Sequence, residues 1–113
     1  MANIAGGPNR GFPTPDRHMH IGLLALDFYL AGCGSLKEKR RRLARLRGKF
    51  GRVTNLAVCE SAFQDSHRRA RWSIVAVAGD AGVVERSLTE VERWVAQSVD
   101  ATLVDIDREV IAT

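Results

Sequence analysis

Apolar positions along this 113-residue chain follow two different periods. From Ile21 to Leu30 every second position is apolar, which is typical of a β-strand buried on one side. The other face of this strand is mixed because it includes Asp27. Near the C-terminus, Val104 and Ile106 alternate with aspartates in the same way. Three further strands are predicted, at residues 53–62, 71–79 and 102–109.

Two other segments have the period of about 3.6 residues that marks an amphipathic helix. The first begins at Ser35, an N-cap residue for which Glu38 completes a capping box. It ends near residue 50, where Gly51 suits the C-cap. The second covers about residues 80–98. Its apolar positions recur at spacings of three and four: Val84, Leu88, Val91 and Val95.

The predicted elements follow the order β-α-β-β-α-β. Two right-handed crossovers around a hairpin give one four-stranded antiparallel sheet with both helices on one face. The expected fold is therefore an α+β ferredoxin-like sandwich, with residues 18–113 as a single domain. Residues 1–17 contain all three prolines and no apolar period, which predicts a flexible N-terminal tail. Many unrelated functions use this fold, so it does not indicate one by itself.

Composition narrows the function classes. No apolar run approaches the roughly 20 residues that cross a bilayer, so a cytoplasmic protein without a membrane partner is expected. There is no Gly-rich phosphate loop and no zinc-ligand spacing. Cys33 and Cys59 are far apart and are expected to be reduced thiols. Asp65, Ser66 and His67 adjoin, but neighbours in a turn seldom point at one another. We predict a non-enzymatic protein without cofactor or metal.

Charge is distributed unevenly along the chain, whose net charge is +4. Residues 35–52 hold nine basic residues and the single acid Glu38, whereas residues 80–113 hold eight acids and three arginines. A solvated helix face explains many charge runs, but here acids for pairing within the helix are almost absent. Lysines and arginines grouped in this way bind phosphate backbones irrespective of base sequence. The first helix is therefore predicted to bind nucleic acid or another polyanion.

A second basic cluster lies in the predicted hairpin FQDSHRRARW, where cations and aromatic residues are interleaved. Such a mixture suits RNA, although exposed charges also protect sheet edges. Lys39 differs from its neighbours because it falls on the apolar side of the first helix. Its ammonium either reaches water, or pairs with a carboxylate such as Glu60, or binds an anion. The predicted nucleic-acid contacts are Lys37, Lys39, Arg40, Arg41, Arg45, Lys49, Arg68 and Arg69.

Four segments, taken in order, resemble the YlxP-like family of small bacterial proteins: MHIGLLALDFYL, SLKEKRRRLARL, ESAFQDSHRRA and LVDIDREVI. The resemblance covers roughly residues 19–111. It implies a ferredoxin-like fold and a domain of unknown function for which no catalytic residues are defined. Genes of this family tend to lie beside those for translation initiation factor 2 and ribosome-binding factor A. By association, this implies a role in small-subunit maturation or translation.

The expected function is that of an RNA- or ribosome-associated factor that binds phosphates through the first helix and the hairpin. The alternative is an oligomeric ligand-binding or regulatory module without nucleic acid. It depends on the sheet face away from the helices, which is too apolar to lie bare. A homodimer through this face, or its coverage by the N-terminal tail, is expected. The residues concerned are Leu23, Ala25, Tyr29, Val75 and Val77.

Overall fold

The computed structural model describes residues 19–112, so the predicted tail at residues 1–17 lies outside the described residues. The elements are β1 (His20–Tyr29), α1 (Leu36–Phe50), β2 (Leu56–Ala62), β3 (Arg69–Ala78), α2 (Ala81–Ser98) and β4 (Thr102–Ala112). Every strand pairing is antiparallel, and the sheet order is β2-β3-β1-β4. The predicted ferredoxin-like sandwich is confirmed. Neither helix in residues 19–112 is long and apolar enough to span a membrane.

One apolar core lies between the sheet and the two helices. The predicted inner face of β1 supplies Leu24, Leu26 and Phe28, each at most 1% exposed. Burying a side chain of this size stabilises the fold by roughly 1.5–3 kcal/mol. The helices add their predicted apolar positions from the other side. These are Leu43, Leu46 and Phe50 in α1, and Val84, Leu88, Val91 and Val95 in α2.

The caps of α1 fix where its charged turns lie. Ser35 Oγ accepts a hydrogen bond from the Glu38 N–H at 3.0 Å, as the capping motif predicts. The Glu38 carboxylate reaches back one residue further than expected and accepts from the Gly34 N–H at 3.4 Å. At the other end the Gly51 N–H donates to the Arg47 carbonyl at 2.7 Å. The predicted bounds of α1 are therefore confirmed.

The second strand is shorter than predicted. Residues 53–55 form a turn after α1, since the Val53 N–H donates to the Phe50 carbonyl (3.2 Å) and the Leu56 N–H donates to the Val53 carbonyl (3.0 Å). The third strand begins earlier, at Arg69, because it pairs with β1 as far as Tyr29. A local apolar pattern cannot distinguish a strand from a turn that follows a helix.

The simple alternation predicted for β4 is wrong. Asp27 pairs with Asp105 while Phe28 pairs with Leu103, so Val104 is the extra residue of a β-bulge. Val104 is 56% exposed and contributes little to the core. β4 instead packs Leu103 and Val110 against the core.

Candidate nucleic-acid interface

The first turns of α1 hold a buried cation. Lys39 is only 2% exposed. Its Nζ donates to the carbonyl oxygens of Phe63, Ser66 and Arg69 at 2.8, 2.8 and 2.9 Å. The Glu60 carboxylate lies 2.9 Å from the same nitrogen. Three carbonyls therefore take the three ammonium protons, and Glu60 balances the charge.

This cation organises the β2–β3 hairpin loop. Phe63 has a φ of +65°, in the left-handed region that non-glycine residues rarely adopt, and its carbonyl faces Lys39. The Ser66 N–H donates to the Phe63 carbonyl at 3.0 Å. The Arg69 N–H donates to Ser66 Oγ at 3.2 Å. The Arg69 guanidinium then lies 4.0 Å from the centre of the Phe63 ring. Lys39 thus fixes the loop that carries Arg68.

The prediction that Lys39 contacts nucleic acid is corrected by this geometry. Its ammonium is enclosed by the hairpin and has no donor left for a phosphate. Of the roles considered from sequence, the carboxylate partner Glu60 is the one observed. The apolar position of Lys39 on the helical wheel was the signal that set it apart. The three carbonyl partners have no sequence signal, because any residue type supplies a carbonyl.

The remaining predicted contacts are exposed but do not form a single face. Arg45 turns toward α2, where it donates to the Ser98 carbonyl at 3.4 Å and lies 5.8 Å from the Trp94 ring centre. Besides Lys39, seven residues were predicted to contact nucleic acid: Lys37, Arg40, Arg41, Arg45, Lys49, Arg68 and Arg69. Within residues 19–112 none of them makes an ion pair with a carboxylate.

Arg42, by contrast, is held within the fold. It lies 3.5 Å from the Glu38 carboxylate and 3.3 Å from that of Asp100, and it donates to the Ala31 carbonyl at 2.9 Å. Its side chain is only 13% exposed. This arginine ties α1 to the start of β4, so it is not available to a partner.

A groove of about 720 Å³ lies between α1 and the edge strand β2. Three arginines line it, Arg40, Arg47 and Arg52, of which the sequence predicted only Arg40. The Arg47 guanidinium lies 5.3 Å from the centre of the Trp72 ring. The remaining lining residues are Leu43, Ala44, Gly48, Gly51, Val58, Glu60 and Trp72.

Sequence reasoning missed Arg47 and Arg52 because a helical wheel shows which side is buried but not what borders it. In the fold, the α1 surface that carries Arg40 and Arg47 adjoins β2. Arg52 follows the helix, where the wheel no longer applies. The spacing of seven residues between Arg40 and Arg47, about two helical turns, was the signal that could have grouped two of them.

The open face of the sheet carries one more cation from the predicted hairpin cluster. Arg71 donates to both carboxylate oxygens of Asp27, at 2.6 and 3.1 Å. These hydrogen bonds lower the pKa of Asp27 below its ordinary value, although partial burial opposes the shift. Arg71 is therefore paired with Asp27, and the positive charge of Arg69 lowers the pKa of Asp27 more weakly.

In the acidic C-terminal part of the chain, Arg108 is paired in the same way. Arg108 on β4 lies 2.6 Å from the Glu85 carboxylate and 2.9 Å from that of Glu92. These two contacts join β4 to α2 and raise the pKa of Arg108 further. Arg71 and Arg108 thus have carboxylate partners, whereas the arginines that line the groove have none in residues 19–112.

Comparison with known proteins identifies relatives of unknown function. Residues 21–108 match the model of the family described as "Protein of unknown function (DUF503)". The chain is 31% identical over 71 residues to the uncharacterized protein YlxP of Bacillus subtilis strain 168, covering 63% of this chain and 77% of that protein.

Solved structures share the fold at low sequence identity. The de novo designed protein Foldit4 has a TM-score of 0.54 at 9% identity, covering 84% of this chain and 98% of its own. A dimeric ferredoxin-like protein of unknown function from Thermobifida fusca has a TM-score of 0.44 at 15% identity, covering 89% and 97%. The first of these likenesses agrees with the fold and carries nothing about function.

Proposed function

Since the chain belongs to the DUF503 family, whose function is unknown, we propose a function from its own surface: it is a non-enzymatic RNA-binding protein that associates with the ribosome. Its contact surface is the exposed side of α1 together with the hairpin loop that Lys39 fixes. RNA phosphates supply the negative charge that the fold does not. Ribosomal RNA is the source we favour, because YlxP-like genes tend to lie beside those of translation factors.

The unpaired cations of α1 are the observation that supports this proposal. Within residues 19–112, Lys37, Arg41 and Lys49 are exposed and make no ion pair, and neither do the groove arginines. Like charges this close repel one another, which destabilises the free protein slightly. A polyanionic partner removes that repulsion and releases counterions from its own backbone, which favours binding.

The direct test is sedimentation of the tagged protein with ribosomal subunits from its own cells at low and at high salt. Phosphate contacts predict cosedimentation at low salt and its loss at high salt. With purified RNA, about six phosphate contacts predict an affinity loss of roughly 10³ or more between about 50 and 200 mM salt. Salt-independent binding, or no RNA binding at low salt, contradicts the proposal.

A second candidate function is a homodimeric regulatory module without nucleic acid. The observation that favours it is the open sheet face, where Leu23, Val77 and Ile111 are 37%, 39% and 39% exposed. Light scattering on the full chain and on the chain without residues 1–17 separates a dimer from coverage by the tail. Val77→Glu is expected to halve the mass of a dimer, with Arg41→Glu on α1 as the control. A monomer in every form contradicts this candidate.

A further inference from the structure

The α1–β2 groove combines an apolar floor with an arginine rim. Leu43, Val58 and Trp72 form the floor. The groove has a volume of about 720 Å³, which lies within the roughly 300–1,000 Å³ of pockets that hold small organic groups. Small residues keep the helix wall open. Ala44 and Gly48 are the lining residues at that wall, and a Cβ added at Gly48 would meet no atom within 4 Å.

Charge at the rim is positive and unbalanced. Arg40, Arg47 and Arg52 line the groove, and none pairs with a carboxylate in residues 19–112. The groove also contains Glu60, but this carboxylate is 2.9 Å from the buried Lys39 ammonium and is therefore already neutralised. An occupant of this groove must bring negative charge.

The type of cation at the rim indicates which class of anion the groove binds. All three rim cations are arginines, whereas the two exposed lysines of α1, Lys37 and Lys49, lie outside the groove. The planar guanidinium forms paired hydrogen bonds with phosphate, and it stacks on flat rings as Arg47 does on Trp72. An apolar floor beside such a rim fits a flat base joined to a phosphate.

We propose that the α1–β2 groove seats an unpaired nucleotide of RNA, with its base against Val58 and the Arg47 guanidinium that covers Trp72, and its phosphates on Arg40 and Arg52. This inference rests on the proposed RNA binding and specifies that the RNA is single-stranded at this site. A base stacked within a duplex cannot enter the groove, so the site distinguishes single strands from helices. The exposed cations elsewhere on α1 contact backbone of either form.

The experiment measures fluorescence anisotropy with a short labelled oligouridylate and with the same strand paired to oligoadenylate, at low salt. Gly48→Leu fills the groove without removing a charge, and Gly48→Ala is its matched control. The native chain is expected to bind the single strand about tenfold more tightly than the duplex. Gly48→Leu should remove that preference and leave duplex affinity within about twofold. Gly48→Ala should retain the preference.

Arg52→Ala is the second variant, because Arg52 lies beyond α1 and has no ion-pair partner in residues 19–112 whose loss could unfold the protein. It should weaken single-strand binding more than Arg41→Ala does.

If RNA binds but Gly48→Leu and Arg52→Ala leave the preference for the single strand unchanged, the groove assignment is overturned while RNA binding stands. If neither RNA form binds at low salt, the proposed function itself fails. If polyglutamate displaces the oligouridylate and its own binding requires Gly48, the occupant is an acidic protein segment and the inference is overturned.

Discussion

The helix α1 places cations in two opposite environments. Near its start, Lys39 is buried and has the carbonyls of the hairpin loop and the Glu60 carboxylate as partners. Along the groove, Arg40 and Arg47 are exposed and have no carboxylate partner in residues 19–112. The two environments come from one basic run of sequence. Position on the helix therefore decides whether a cation of this run supports the fold or is free for a partner.

Removal of the buried cation should have the largest effect on stability. Lys39→Met leaves the Glu60 carboxylate without its cation and removes one hydrogen bond from each of the three loop carbonyls, so the free energy of unfolding should fall by about 3 kcal/mol or more. Denaturant titration measures this loss. Arg41→Met, which removes an exposed cation of the same helix, should change stability by less than about 0.5 kcal/mol.

A second variant checks the cause. In Lys39→Met/Glu60→Leu the stranded carboxylate is absent, so part of the lost stability should return. Equal and small effects of Lys39→Met and Arg41→Met would mean that the buried cation does not support the hairpin loop.

The sequence predicts the fold well because its signals are local. The period of two in β1, the cap at Ser35 and the period of α2 each depend on residues close together in the chain. The bulge at Val104 was not predictable from the strand alone. It depends on the register with β1, where Phe28 pairs with Leu103 rather than with Val104.

The candidate site was predicted less completely for the same reason. Exposure of Lys37 and Arg41 follows from the helical wheel, and the structure agrees. Lys39 was recognised as exceptional, but its loop carbonyls come from residues more than 20 positions away. The grouping of Arg47 with Arg52 depends on β2 lying beside them, which is a tertiary contact.

Two glycines near the end of α1 should respond in opposite directions to the same substitution. Gly48→Ala should raise the free energy of unfolding by up to about 1 kcal/mol, because glycine disfavours a helix interior and the added Cβ meets nothing within 4 Å. Gly51→Ala should lower it, because its Cβ would lie 2.5 Å from the Arg47 carbonyl oxygen. Thermal melts measure both. A loss of stability in Gly48→Ala would show that the groove wall is not open.

The ion pair of Arg71 and Asp27 is partly exposed, intermediate between the buried Lys39 and the exposed groove arginines. Its removal should have the smallest effect on stability. Because the pKa of Asp27 is lowered in the folded state, the full contribution of this pair to stability is present at pH values above the ordinary aspartate pKa of about 3.9. The contribution is lost as the pH falls through the lowered folded-state pKa. Arg71→Gln should therefore flatten the dependence of stability on pH below about pH 4.

Denaturant titrations across this pH range compare Arg71→Gln with the native chain, and Arg86→Gln on α2 is the control because Arg86 has no ion pair in residues 19–112. Asp105 lies opposite Asp27 in the sheet, so removal of Arg71 also leaves two carboxylates facing each other. An unchanged pH profile in Arg71→Gln would show that the pair contributes nothing to stability.

The most direct measurement compares two triple variants that each remove three positive charges from the same region. One changes the groove arginines, Arg40, Arg47 and Arg52, to alanine, and the other changes the outer cations Lys37, Arg41 and Lys49 to alanine. Affinity for single-stranded oligouridylate is measured at low salt for both. The groove variant should lose at least about tenfold more affinity than the outer variant, because a charge-assisted hydrogen bond contributes about 1.5–3 kcal/mol. Equal losses would contradict a groove that binds RNA specifically.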